Sequence, residues 1–248
     1  MFSIFKPKKY LTDLFDNHTD IHNHLIPGID DGSDSVEQSL ELIDAMRGLG
    51  ITDFIATPHT MGEIYPNTPQ IINSAAYDLN KALTARGDTH QVRTASEYML
   101  DEQFSSRLQH EELLPLKDNY ILVEISYLQP PIYLEDLLFE IIHAGYIPVL
   151  AHPERYSYYH KKYDYYNELQ RLGCLFQLNA LSLGDHYGHN VHLMARKLLE
   201  DGRYTFIGTD THHIHHLKSL KKITYKEKMK PAIKTLIEVT KNTFSLPQ

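Results

Sequence analysis

The sequence of 248 residues holds one cysteine, Cys174, set in an apolar, strand-like run. A single cysteine excludes an intramolecular disulfide and any cysteine-rich zinc module. It suits a reducing compartment, so a cytoplasmic location is expected. Positive charge is also short: 24 lysines and arginines face 32 aspartates and glutamates, for a formal net charge of -8. A chain of that sign does not hold nucleic acid through a nonspecific basic surface. No stretch approaches the ~18 apolar residues of a membrane span. The opening Met-Phe-Ser-Ile-Phe-Lys-Pro-Lys-Lys-Tyr has too short an apolar part for a signal peptide, and its charges follow that part. Met1 to Phe15 reads as an extension packed on the body; a basic amphipathic arm against a membrane or partner is the second reading. Linkers, low-complexity tracts and internal repeats are missing. The expectation is an N-terminal extension over 1–18 and one domain over 19–248.

What the chain does have is alternation. Hydrophobic residues make up 42%, enough for a core. A strand is expected from Thr19 to His22, then a helix capped around Asp34–Ser35, with apolar residues at helical spacing and Gly50 as its stop. Further strands are expected at Ile51–Ala56, Val92–Ser96, Tyr120–Val123, Ile147–Ala151, Cys174–Leu178 and Tyr204–Ile207. Helices are expected between them, at about Pro69–Ala85, Tyr133–Ala144 and His192–Glu200. A last amphipathic helix, Lys226–Thr240, carries Pro231 near its start. Seven strands alternating with helices argue for parallel βα units in an α/β fold.

The chemistry-bearing residues gather where such units put their active sites. His22 and His24 stand at i and i+2 of an extended run, so their side chains face the same way. Asp30-Asp31-Gly32-Ser33 follows as a carboxylate pair and a turn. Imidazoles and carboxylates together suit a borderline-hard divalent metal such as zinc, manganese or iron. His59, Glu97, Glu124, His152, Asp210 and His212 each fall at or just past the end of a predicted strand, which in a parallel barrel is the active-site face. Any one of them is an ordinary hydrogen-bonded strand-end residue. Nine together (His22, His24, Asp31, His59, Glu97, Glu124, His152, Asp210, His212) suit a multi-metal site, where each ion needs three or more protein donors and carboxylates bridge.

The series His22-Asn23-His24, Asp30-Asp31-Gly32-Ser33, Pro58-His59, Glu97, Glu124, His152 and Asp210-Thr211-His212 resembles the PHP (polymerase and histidinol phosphatase) metal-dependent phosphoesterases. His24 to Ser33, Ala56-Thr57-Pro58-His59 and Ala151-His152-Pro153-Glu154-Arg155-Tyr156 are similar to the bacterial capsule and exopolysaccharide tyrosine phosphatases, the CpsB/YwqE group. The resemblance spans about Asp20 to His212. It implies a distorted seven-stranded (β/α)7 barrel with three divalent metal ions, manganese or iron first, with zinc and cobalt also accepted by such ligands. His22, His24, Glu97 and Asp210 would hold one ion. Glu97 would bridge to a second, held also by Glu124 and His152, and Asp31, His59 and His212 would hold the third. The implied activity is hydrolysis of phosphotyrosine in a protein. The implied partner is the Tyr-rich tail of a bacterial tyrosine autokinase that regulates capsule or exopolysaccharide synthesis. A homo-oligomer is compatible with this reading. The runner-up is a PHP phosphatase for a small metabolite such as histidinol phosphate.

Arg155, three residues past His152, is the candidate phosphate clamp, because a guanidinium suits bidentate phosphate contact; a structural ion pair is the rival role. Relatives carry a second arginine shortly after the last Asp-x-His, whereas here no arginine follows Arg203. His213, His215, His216 and Lys218 are the available substitutes. Six tyrosines lie between Tyr156 and Tyr166. Most are expected to pack on the body, with Tyr127 and Tyr156 as the ones to reach the rim.

Overall fold

The computed structural model describes residues 8–110 and 113–245. Of the N-terminal extension, residues 1–7 lie outside the described residues. From Tyr10 onward the segment is packed: Tyr10 bridges to Thr224, a short 3-10 helix covers Leu11–Leu14, and Leu11 and Phe15 are buried in the main core.

The elements follow in the order β1 (His18–Asp20), α1 (Val36–Arg47), β2 (Ile51–Ala56), β3 (His59–Thr60), α2 (Pro69–Ala85), β4 (Arg93–Thr94), β5 (Glu97–Met99), α3 (Phe104–His110), β6 (Tyr120–Glu124) and α4 (Leu134–His143). They continue with β7 (Ile147–Ala151), α5 (Asp164–Arg171), β8 (Leu175–Asn179), α6 (His189–Glu200), β9 (Phe206–Gly208), α7 (Ile214–Leu220) and α8 (Lys230–Phe244). Local chemistry sets several boundaries. Ser35 caps α1 by accepting from the Gln38 amide, and Thr68 caps α2 by accepting from Ile71, with Pro69 in the first turn where its missing N–H costs nothing. Pro231 does the same for α8, which starts at Lys230; the expected start at Lys226 falls instead just before a separate 3-10 turn, Glu227–Met229.

Among the described residues all pairs between these strands are parallel. One sheet has the order β1-β2-β4 and the other β3-β5-β6-β7-β8-β9. The expected strand Val92–Ser96 is broken in two, because pairing shifts from β2 to β3 across Ala95–Ser96. β2 and β3 are likewise separated by Thr57-Pro58, where proline has no N–H for a ladder. The first strand stops at Asp20, short of its two histidines. Past that point Asn23 bridges in parallel to Thr211, and the Asp210 amide donates to His22 O at 2.7 Å. Asp20 also accepts from the Thr209 amide and hydroxyl, at 2.8 and 2.7 Å. The first and last strands therefore meet just where the candidate residues lie. A small apolar cluster takes side chains on or beside successive strands, including Ile21, Ile55, Leu122, Val149 and Phe206, and Phe244 of α8 joins it. A larger cluster lies among the strands and surrounding helices.

Candidate metal centre

The nine residues converge. Four groups of ligand atoms, each within 4.8 Å of one another, are His24/Asp31/His59/His212, His22/Glu97/His152, His22/His24/Asp210 and His59/Glu97/Glu124. His22 Nε2 lies 3.1 Å from Glu97 Oε2, His152 Nε2 lies 3.1 Å from Glu97 Oε1, and His59 Nδ1 lies 2.8 Å from Glu124 Oε1. His212 Nε2 and His59 Nε2 stand 3.4 and 3.5 Å from Asp31 Oδ1. The Asp31 side chain is 54% exposed, while His22, His24, Glu97 and Glu124 are buried, so the cluster opens on the Asp31 side.

Backbone geometry aims these side chains. His152 and Asp210 sit just past β7 and β9 with φ of 37° and 53°, in the left-handed region that non-glycine residues rarely occupy. Strain of this kind persists only where surrounding bonds hold it: the His152 amide donates to Gln177 O and that of Asp210 to His22 O. At Gly208 a Cβ would stand 2.7 Å from the Cβ of His22, so glycine lets β9 approach the histidine.

The imidazoles are also fixed from behind. His22 Nδ1 is 2.9 Å from Gln177 Oε1, and His24 Nδ1 is 2.7 Å from Asp30 Oδ2. The amide oxygen can only accept, so His22 Nδ1 carries the proton and Nε2 turns its lone pair into the cluster. The sequence reading assigned no role to Asp30, yet it also accepts from the His59 amide at 3.1 Å and the Gly32 amide at 2.9 Å. Gln177 and Asn179 were missed too. They stand at i and i+2 at the end of β8, the same signal as His22 and His24, but amides draw less notice than ligand types. Asn179 Nδ2 donates to Asp210 Oδ2 at 2.8 Å.

Of the close approaches in the cluster, His152 Nε2 to Glu97 Oε1 is a hydrogen bond; others leave their atoms unpaired. His22 Nε2, His24 Nε2, His59 Nδ1, Glu97 Oε2 and Glu124 Oε1 are buried without a hydrogen-bond partner among the described residues. Orphaned buried polar atoms are costly, and lone pairs converging on shared points are what a cation's donor set requires. Electrostatics agree. Burial would raise the Glu97 carboxyl, but the His22 and His59 imidazoles overcome it and hold it well below the carboxylate range. Burial opposes charge on His59, yet Glu124 and Glu97 lift it to about 9. A bound cation would displace that His59 proton and stand in its place beside the two carboxylates.

Arg155, in a 3-10 turn after β7, is held on three sides. Its Nη1 donates to Asp210 Oδ2 at 2.8 Å, and its guanidinium lies 4.6 Å from the Tyr127 ring and 4.1 Å from the Tyr187 ring. Tyr127 reaches the rim, with its hydroxyl 3.3 Å from His152 Nε2. Tyr156 does not. It is fully buried and its hydroxyl accepts from the Ile125 amide, because the turn at Pro153–Arg155 rotates it inward. Tyr159 and Tyr166 pack in the core. Among the substitutes for a second clamp, His216 turns inward, accepts from the His212 amide at Nδ1, and is lowered to about 4 by burial and His212, so it is neutral. His213 and His215 line a cleft beside Gln38 and Glu41 of α1. Among the described residues, no lysine or arginine other than Arg155 ion-pairs with the nine. Cys174 is buried, and burial pushes its thiol up to about 12, which disarms it as a nucleophile.

Residues 18–237 match the family described as capsular polysaccharide synthesis, CpsB/CapC. The chain belongs to the CpsB/CapC family. It is 32% identical over 196 residues to the tyrosine-protein phosphatase YwqE of Bacillus subtilis (strain 168), covering 79% of this chain and 77% of YwqE. CapC of Staphylococcus aureus is 28% identical over 225 residues, 90% of this chain and 88% of CapC. A crystal structure from a study of YwqE from Bacillus subtilis and CpsB from Streptococcus pneumoniae, described as metal-dependent tyrosine phosphatases, superposes with a TM-score of 0.80. It is 30% identical and covers 90% of this chain and 94% of that one. The CpsB/CapC match thus covers β1 to most of α8, including all nine converging residues and Arg155.

Proposed function

We propose that this CpsB/CapC protein is a cytoplasmic, metal-dependent protein-tyrosine phosphatase whose substrate is a tyrosine autokinase regulating capsule or exopolysaccharide synthesis. The observation that carries the reading is the convergence of nine carboxylate and imidazole side chains, with buried unpaired lone pairs, beside one aromatic-clamped guanidinium. Their chemistry fits three divalent ions, manganese first. One would be held by His22, His24, Glu97 and Asp210, one by Glu97, Glu124 and His152, and one by Asp31, His59 and His212. Bound there, divalent cations lower the pKa of water and offset charge on phosphoryl oxygens.

The chain's own groups do the rest. Arg155 spends one nitrogen on Asp210 and keeps the other donors of its fork for phosphoryl oxygens. Gln177 and Asp30 hold two imidazoles in one orientation, so the site needs no reorganisation as charge develops. The names and activities of YwqE and CpsB support tyrosine phosphatase chemistry. The rim supports a polypeptide substrate: Tyr127, Leu128 and Ile132 are exposed on the loop after β6. For the scaffold we read β2 with β3, and β4 with β5, as two broken positions of a seven-stranded (β/α)7 barrel over 19–248, with 1–18 as its extension.

The experiment is turnover of a phosphotyrosyl peptide and of histidinol phosphate by protein purified without chelator. The peptide should be the better substrate, exhaustive chelation should abolish turnover, and Mn²⁺ should restore it. Equal or better turnover of histidinol phosphate would place the protein among metabolite phosphatases instead.

A further inference from the structure

A cavity of about 490 Å³ lies between α6 and the chain that follows α7. Its size is within the roughly 300–1,000 Å³ of small-ligand clefts. Its walls carry three strong cations against one carboxylate, in an acidic protein. Arg196, Lys222 and Lys226 line it, and the stretch from Lys218 to Lys230 carries six lysines against one glutamate. One carboxylate, Asp185, shares the lining and has a 3.8 Å contact to His189; of the other nearby acids, Glu227 pairs with Lys9, and Glu200 pairs with Lys228 at 2.8 Å, leaving Arg196 a long 3.6 Å contact to Glu200. Among the described residues neither Lys222 nor Lys226 has an ion-pair partner, and Arg196 Nε is shielded from water with no hydrogen-bond partner. The lining also includes apolar surface, from Leu183, Ile223 and Met229. Cations and apolar side chains sharing one lining fit a ligand with an aromatic body and an anionic group.

The cavity is tied to the catalytic rim through His186, which lines it. The His186 ring meets Tyr187 at 4.7 Å, and Tyr187 holds the Arg155 guanidinium. It also meets His216 at 5.0 Å, and His216 meets His212 at 5.6 Å.

We propose that this cavity is an exosite for a second phosphotyrosine of the same polypeptide, engaged while the first lies at the metal centre; this rests on the phosphatase reading above. Tethering makes the second contact intramolecular, so even a weak site raises affinity.

The test measures binding of the metal-loaded protein to peptides bearing non-hydrolysable phosphonate analogues of phosphotyrosine, one or two per peptide at several spacings. A two-phosphonate peptide should bind about tenfold tighter than the one-phosphonate peptide. That advantage should vanish in Lys222→Glu/Lys226→Glu and persist in Lys81→Glu/Lys234→Glu, which makes the same charge change elsewhere. Hydrolysis of para-nitrophenyl phosphate, too small to span both sites, should be equal in all three proteins. The exosite is overturned if no spacing gives a preference, or if the preference survives in the cavity variant. Equal loss in both variants overturns it as well. Binding of anionic vesicles through Lys222 and Lys226 without peptide preference would assign these lysines to a membrane and also overturn it. Peptide preference without any hydrolysis of para-nitrophenyl phosphate would instead remove the phosphatase reading while leaving the second anion site standing.

Discussion

Replacing Arg155 with alanine separates phosphate handling from metal binding. Arg155 gives one hydrogen bond to Asp210 Oδ2, and its side chain remains 20% exposed. Without it, Asp210 Oδ2 still accepts from Asn179 at 2.8 Å, and the Tyr187 hydroxyl stands at 3.4 Å. Asp210 is therefore not left as an unpaired buried charge, and its other oxygen still faces His22 and His24. Metal content should hold. What is lost is a positioned donor for charge developing on the phosphoryl group, an effect of roughly 10²–10³ in kcat, or about 2.7–4 kcal/mol, where single donors of this kind have been removed. Arg155→Lys should recover only part, because an ammonium offers neither the planar fork nor the stacking between Tyr127 and Tyr187. The assay pairs steady-state hydrolysis of a phosphotyrosyl peptide with elemental analysis of the same preparation. Unchanged kinetics would remove Arg155 from the site. Activity falling only in proportion to lost metal would make it a structural partner of Asp210.

Two further perturbations probe the frame. His18 is fully buried against Phe15, neither ring nitrogen has a hydrogen-bond partner among the described residues, and burial followed by Lys241 lowers it to about 3 from an ordinary 6.5. The unfolded chain therefore binds the extra proton, so stability is complete above about pH 6.5 and falls as pH drops toward 3. The share lost by pH 5 is roughly 2 kcal/mol; urea melts should show His18→Phe losing less stability than the parent over that range, and parallel losses would refute it. At Gly32 a Cβ would lie 2.3 Å from His24 O and 2.4 Å from His24 Cβ. Gly32→Ala should cost about 1–3 kcal/mol and lower metal content by displacing His24 and Asp30. A variant with parent-like melting and metal content would contradict that reading.

The sequence by itself determined which residues could do the chemistry. Ligand types recur at strand ends, and a parallel βα chain delivers strand ends to one face whatever the details of packing. That is why His22, His59, Glu97, Glu124, His152, Asp210 and His212 could be named together, with His24 as the i+2 partner of His22 and Asp31 from its carboxylate pair, although His59 and Glu97 open β3 and β5 instead of closing a strand. The same alternation made the α/β class and most helices legible, Pro69–Ala85 to the residue. Tertiary structure alone decided the rest, because it depends on distances between residues far apart in the chain. Period and spacing do not say that Tyr156 turns into the core while Tyr127 stays at the rim, or that His216 caps a backbone amide rather than facing phosphate. Nor do they say that pairing resumes at His59 after Thr57-Pro58, or that the strand expected at Val92–Ser96 breaks at Ala95–Ser96, where pairing passes from one neighbour to another. The supports behind the histidines were silent for the same reason: Gln177 reaches His22 across 155 residues, and its value lies in the lone pair it leaves free on the other side of the ring.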